Sequence, residues 1–191
     1  MGTEDFMAQT TKRALADSMK KLLAKSPLDK ITVKDLVEDC GVNRQTFYYH
    51  FHDVYDLVEW IFREELAEIA REEINYSSWS EVLYRLADHL TQNRALILNV
   101  YNSVSHGEVT RYVNKAMRPY VAAVVEEQAE GVKVSLENRE FVTDLCTRGA
   151  AGLMCNWIET GMRRSQLLRL EKFERAVDGS LRLMLKNFEE K

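Results

Sequence analysis

An all-α fold is what this sequence predicts, and three observations predict it. Proline and glycine are scarce, at 2 and 8 of 191 residues, where an all-β chain needs more turn formers. Apolar residues recur at three- and four-residue steps through nearly every segment. Hydrophobic residues make up 46% and charged residues 29%, which is ordinary for a folded chain and argues against disorder. No internal repeat or low-complexity tract interrupts this pattern.

The first helix is expected over about Thr11 to Lys25, with Leu15, Met19, Leu22 and Leu23 on one face and Pro27 helping to end it. The second helix starts at Thr32. Its hydroxyl can cap the helix, and Asp35 can return the bond, as in a capping box. Val33, Leu36 and Val37 share a face, and Gly41 suits the left-handed backbone that ends a helix. Val42 is the apolar residue of the turn, expected to face inward. Asn43 is a good cap for a third helix. Phe47 and Phe51, four apart, pin that helix to the core, so its opposite face holds Gln45, Thr46, Tyr48 and Tyr49. Arg44 lies nearer the packed side, but in the first turn a long side chain can reach forward.

Residues 32–53 thus read as two short helices joined by a tight turn, the second with a polar and aromatic outer face. A helix built to enter a DNA major groove has that form. Arg can contact guanine and Gln adenine with two hydrogen bonds each, while hydroxyls and histidines can bond phosphate oxygens. The spacing by itself also fits an ordinary helix pair with a solvated polar face.

Asp53 can cap a fourth helix, with Val54, Leu57, Val58, Ile61, Phe62, Leu66 and Ile69 as an apolar stripe running to about Glu73. Asn75 to Ser78 form the next break. A fifth helix is expected over Trp79 to Thr91, with Val82, Leu83, Leu86 and Leu90 inward, and a sixth over Ala95 to Val104. Ser105, His106 and Gly107 read as a loop. Residues 108–130 look helical but contain Pro119, which costs about 3 kcal/mol inside a helix, so a kink or break is expected near Arg118. That point is either a bend within one helix or the start of a new helix. Gly131 ends the segment.

An eighth helix, about Glu137 to Thr160, is apolar on more than one face: Phe141, Val142, Leu145, Cys146, Leu153, Met154, Trp157 and Ile158. It must be covered on several faces, by its own domain and by a partner subunit. The small residues Gly149 to Gly152 permit close approach. A ninth helix carries Leu170, Phe173, Val177, Leu181, Met184 and Phe188 at near-heptad steps. The expected dimer interface is Gly149, Gly152, Leu153, Trp157, Val177, Leu181, Met184 and Phe188, the alternative being that both helices complete a monomeric core. Two recognition helices one DNA turn apart would read a palindromic site.

The run GVNRQTFYYHFHDVYDL resembles the signature of the TetR family of bacterial transcription regulators. The resemblance covers about residues 10–62 and includes ITVKDL, the turn glycine and TFYYHF. It implies an N-terminal three-helix helix-turn-helix domain that binds an operator, followed by a helical dimerisation and ligand-binding domain. The divisions expected are 1–53 for DNA binding, 54–74 for a connecting helix and 75–191 for regulation and dimerisation. By motif match, Asn43, Arg44, Gln45, Thr46, Tyr48, Tyr49 and His50 are implied to face DNA, and Lys34 to contact phosphate. The family usually has a lysine at the start of the fourth helix, where this chain has Val54, so His52 stands in for that phosphate contact. RQTFYYHF followed by LVEWIF is also similar to the dihydroxyacetone kinase regulator group, some of whose members activate transcription through a protein partner.

A net charge of −4 is unusual for a DNA binder. The charge is uneven, however. Residues 1–52 carry 8 Lys and Arg against 7 Asp and Glu, while the rest carries 18 against 23. Lys12, Arg13, Lys20, Lys21, Lys25, Lys30, Lys34 and Arg44 are therefore available to phosphates. Cys40, Cys146 and Cys155 do not form a disulfide framework and read as free thiols among apolar neighbours, with a redox-sensing thiol as the alternative. His50, His52, His89 and His106 lack metal-ligand spacing, and no phosphate loop or nucleophile elbow is present, so no enzyme activity, metal or cofactor is expected. With no signal peptide or lipidation signal, and no apolar run longer than stretches such as VAAVV at 121–125, no membrane partner and a cytoplasmic location are expected.

The expected function is a homodimeric, sequence-specific DNA-binding regulator acting as an effector-responsive repressor. The alternatives are an activator working through a protein coactivator, or a helical interaction protein that does not use DNA. Expected partners are a palindromic double-stranded operator, a second copy, and a small-molecule effector or coactivator. Candidate effector contacts are Tyr101, Arg111, Tyr112, Tyr120 and Trp157, with Trp79 nearby in the pattern, although aromatics at helical spacing most often form core.

Overall fold

Apolar spacing and capping chemistry produce ten α-helices among the described residues of this computed structural model, with no strand among them. The structure describes residues 3–69 and 79–190. They pack as two units: Met1–Ala67 with Asn93–Ser105, and Glu68–Gln92 with His106–Lys191.

The first unit holds α1 (Thr3–Leu23), a 3-10 turn (Leu28–Lys30), α2 (Val33–Cys40), α3 (Arg44–His50), most of α4 (Val54–Ile69) and α6 (Arg94–Tyr101). Its core is Leu15, Met19, Leu23, Leu28, Leu36, Phe47 and Leu57, all fully buried. Ala16 and Trp60 are buried as well. Helix α1 begins at Thr3, well before the expected Thr11, and ends at Leu23. Its added turns carry exposed Phe6 and Met7, so the burial pattern that set the expected start could not report them. Sequence order places Asn93–Ser105 in the 75–191 segment, yet it packs with the first unit. Asn99 Nδ2 donates to the Leu23 carbonyl at 2.7 Å, and Leu96, Ile97 and Val100 are buried.

The second unit holds α5 (Trp79–Gln92), α7 (His106–Ala129), α8 (Leu136–Glu159), α9 (Arg164–Val177) and α10 (Leu181–Lys186). Helices α7 and α8 pack along one another. Val124, Val125, Ala129, Val142, Cys146, Leu181 and Leu185 form the core there, with Trp79, Val177 and Met184 against it. Arg118 of α7 bonds Glu140 and reaches Asp144 at 3.2 Å, and Arg139 meets Glu126 at 2.7 Å. These exposed pairs fix register more than they stabilise.

Several expected boundaries are corrected. The expected loop over Ser105 to Gly107 holds only at Ser105, because α7 already starts at His106. Pro119 does not break its helix: α7 is continuous through it. Pro119 and Lys115, one turn earlier, are both exposed, so the missing helical bond falls on a side that water can reach. The expected ninth helix is two helices. Gly179, at φ 72°, takes the left-handed conformation between α9 and α10 and interrupts the near-heptad run. The sixth helix spans Arg94–Tyr101, shorter than expected, and α8 spans Leu136–Glu159. The end of the fourth helix near Glu73, the break at 75–78 and the side chain of Leu170 lie outside the described residues.

None of the three cysteines is in a disulfide. Cys146 is buried, while Cys40 and Cys155 are half-buried. Burial raises all three thiols above their ordinary value, which opposes the thiolate a redox sensor needs. No helix among the described residues is long and apolar enough to cross a membrane.

Candidate nucleic-acid interface

The interface is built from the caps outward. Thr32 and Asp35 form the reciprocal box at the start of α2: the Thr32 amide donates to Asp35 Oδ2 at 2.8 Å, and the Asp35 amide donates to Thr32 Oγ1 at 3.3 Å. The Thr32 hydroxyl, then its amide, hold the Asp35 carboxyl below the usual range. Gly41, at φ 69°, ends α2, and its amide donates to the Val37 carbonyl. Asn43 then starts α3. Its Oδ1 accepts the Thr46 amide at 2.8 Å and the Thr46 hydroxyl at 3.0 Å. Val42, between these caps, is half-buried.

Helix α3 is anchored by Phe47, the buried residue within it, and by buried Phe51, which ends it. Phe47 is 0% exposed and meets Phe51 at 6.0 Å between ring centroids. On the other side, Tyr49 is 82% and Tyr48 59% exposed, and Arg44 and Gln45 are also exposed. The outer face therefore presents guanidinium, amide and two phenols together. Asn43 and Thr46 are tied to each other at the cap, which commits the Asn43 oxygen and the Thr46 hydroxyl and leaves the Asn43 amide group as a donor.

His50 is half-buried between neighbouring rings, 4.9 Å from Tyr49 and 6.4 Å from Phe51. Burial, then the charge of Lys12, lowers its pKa below the ordinary 6.5. That shift disfavours the charged form of the ring, which sequence analysis places among the DNA-facing residues. His52 is exposed, and its amide donates to Asp56 at 2.9 Å. The Asp53 carboxylate accepts the Tyr55 and Asp56 amides at 2.8 and 2.9 Å and caps α4.

The basic residues divide. Lys34 is exposed at the start of α2, in a loose 3.7 Å pair with Glu38. Lys20 pairs with Glu65 at 2.6 Å and Lys21 with Asp39, so two cations counted as available to phosphate have internal partners. Lys21, then Ser18, lower the Asp39 pKa. Lys12 lies 5.9 Å from the ring centroids of both Phe51 and Trp60, a position that sequence spacing did not reveal.

The other candidate residues are spread out. Tyr101 is buried in the first unit, whereas Arg111, Tyr112, Tyr120 and Trp157 belong to the second, so the structure does not gather them in one unit. Arg111 is exposed, Tyr112 half-buried, and burial raises the Tyr120 phenol. Trp157 is 1% exposed, and its buried Nε1 has no hydrogen-bond partner among the described residues.

The residues expected to face a partner subunit separate in the same way. Trp157 and Leu181 are buried in the chain's own interior, which removes them from any outer face. Gly149 is occupied by Phe173 of the same chain. Val177 and Met184 are half-buried against the core, and Leu153 is half-buried. Gly152 is exposed with open space above it. Phe188 is partly exposed and meets Phe141 at 5.9 Å. Phe141 and Leu145 of α8, absent from the expected interface, are 55% and 51% exposed.

Comparison with known proteins identifies the family and the fold. Residues 9–60 match the family described as bacterial regulatory proteins, tetR family, and residues 77–179 match a transcriptional regulator C-terminal region. The HTH-type dhaKLM operon transcriptional activator DhaS of Lactococcus lactis subsp. lactis (strain IL1403) is 28% identical over 91 residues. That match covers 48% of this chain and about half, 49%, of that relative. The HTH-type transcriptional regulator AcrR of Shigella flexneri is 23% identical over 171 residues, covering 79% and 80% of the two chains. Among solved structures, the dihydroxyacetone kinase operon activator DhaS superposes with a TM-score of 0.66 at 21% identity, over 94% of this chain and 98% of that one. A TetR transcriptional regulator from Streptococcus agalactiae 2603V gives 0.52 at 19% identity, over 87% and 97%. At these identities the superpositions show the fold.

Proposed function

This chain belongs to the TetR family of bacterial transcription regulators, and from that premise we propose that it works as a homodimer on a palindromic operator, its DNA affinity set by an effector. It is a DNA-binding regulator and not an enzyme. The observation that carries the operator reading is the two-sidedness of α3: Phe47 fully buried beneath, with Arg44, Gln45, Tyr48 and Tyr49 together outside.

In this reading α3 lies in the major groove. Arg44 and Gln45 read base edges, Tyr48 and Tyr49 contact bases or backbone, and Lys34 and His52 hold phosphates. Asn43 and Thr46 set the start of the helix. A second copy covers Phe141, Leu145 and Gly152 of α8 and Phe188 beyond α10, which are exposed in the single chain. A cytoplasmic location goes with this reading, since duplex DNA is the proposed partner.

The indole N–H of Trp157, which has no partner among the described residues, supports an effector site in the second unit, for a molecule offering a hydrogen-bond acceptor. Such a molecule shifts DNA affinity only by binding one arrangement of the dimer better than the other. In this reading the bound protein represses by occupying a promoter. The likeness to DhaS, named as an operon activator, favours a second reading in which a protein partner turns the same binding into activation.

The test is selection of duplexes from a random-sequence pool. The expected result is a palindromic consensus, lost on Arg44→Ala, while Lys34→Ala weakens all duplexes alike and lowers the salt slope by about 1. Parent-like binding by both variants would overturn the assignment of α3. A promoter fusion carrying the selected site then gives the sign of regulation.

A further inference from the structure

Lys12 is the cation of the first unit whose surroundings are aromatic. It is half-buried on α1, and no carboxylate pairs with it among the described residues. Its Nζ lies over two rings, 5.9 Å from each centroid: Phe51, the residue that ends α3, and Trp60 of α4. The two rings meet edge to face at 5.8 Å. From Phe51 the ring contacts continue to His50 and from His50 to Tyr49, on the outer face of α3. A cation over a ring face is attracted by the quadrupole of the π-system, and more strongly where water is partly excluded.

Taken from spacing alone, Lys12 was one more charge for phosphates. Its placement gives it a different task. We propose that Lys12 is a positioning residue for the recognition helix: its ammonium clamps Phe51 and Trp60 together from α1 and so fixes the end of α3 that carries Tyr49. This rests on the reading of α3 as the DNA-contacting helix. Burial first, and then the same charge, act against protonation of His50.

The two roles differ in salt dependence. A phosphate contact contributes to counterion release, and its loss lowers the slope of log affinity against log salt by about 1. A positioning residue lowers affinity without altering the slope. The probe is a duplex selected by the parent protein from a random pool, bound to the parent, Lys12→Met, Lys12→Arg and Arg44→Ala across a salt series. His50 is titrated by NMR in the free proteins.

Lys12→Met is expected to bind about fivefold to tenfold more weakly at every salt concentration. The His50 midpoint rises in that variant. Lys12→Arg, which keeps a cation over the rings, restores both the affinity and the low midpoint. A slope lowered by about 1 in Lys12→Met, or parent-like binding, overturns the proposal. Should Lys12→Met fail to fold, Lys12→Gln takes its place in the same salt series: weaker binding with an unchanged slope supports the proposal, and a slope lowered by about 1 or parent-like binding overturns it. If the parent selects no duplex, the DNA reading falls and this proposal with it. If the parent selects one, Arg44→Ala loses it and Lys12→Met keeps it, only the role of Lys12 falls.

Discussion

Gly149 of α8 lies against one edge of the ring of Phe173 of α9: a Cβ built on Gly149 would stand 2.8 Å from Phe173 Cε2. The same test on Gly152, three residues on, meets nothing within 4 Å. Two glycines in one helix thus have different reasons to be there.

The pair gives a comparison within one helix. Gly152→Ala gains helix propensity, up to about 1 kcal/mol, with no clash in the single chain. Gly149→Ala gains the same propensity but forces the ring of half-buried Phe173 aside, which offsets that gain. Chemical denaturation at a concentration where the protein is monomeric should rank Gly152→Ala above the parent and Gly149→Ala at or below it. Equal stabilisation by both would mean that Phe173 does not pack there.

The exposed apolar face of α8 predicts the effect of a charge. Leu145→Glu leaves the chain's own interior untouched, since Leu145 is half exposed, but buries a carboxylate if a second copy sits there. Sedimentation velocity should show a dimer for the parent and a monomer of unchanged helix content for the variant. A variant that stays dimeric places the interface elsewhere.

Asn43→Ala removes the side-chain oxygen that accepts both the amide and the hydroxyl of Thr46. The expected loss of stability is about 1 kcal/mol, within 0.5–2. Asn43→Asp keeps an acceptor at the same place and should retain most of that stability. Thermal unfolding of the three proteins decides the point, and a parent-like alanine variant would show that the cap contributes nothing.

His50 makes stability depend on pH with a definite sign. Its folded-state pKa lies below the ordinary 6.5, because burial, and then Lys12, disfavour the charged form. The unfolded chain therefore binds more protons in the window from that value downward, and stability falls as pH drops from 6.5 to the folded pKa. Below the folded value this contribution is constant. His50→Gln should flatten the dependence in that window, and an equal slope in parent and variant would exclude His50 as its source.

The first unit was legible because its signals are local. Thr32 with Asp35, Gly41, and Asn43 each act within a turn of the chain, and each does in the structure what its chemistry suggests. What escaped depends on partners distant in sequence. The place of Lys12 needs Phe51 and Trp60, and the clash at Gly149 needs Phe173. Two errors had local causes. Gly179 was read through because the apolar steps on either side matched a single helix, although a glycine there can end one. Pro119 was weighted as a break without regard to which side of the helix it occupied.

The bond from Asn99 to the carbonyl of Leu23 carries a practical lesson for anyone dissecting the molecule. Excising residues 1–67 as a stand-alone reader would strip away Leu96, Ile97 and Val100 and leave the end of α1 with one acceptor unmet. Such a fragment should fray from that end, and chimeras that transplant its sequence preference onto another sensor need the short stretch 93–105 carried along with it.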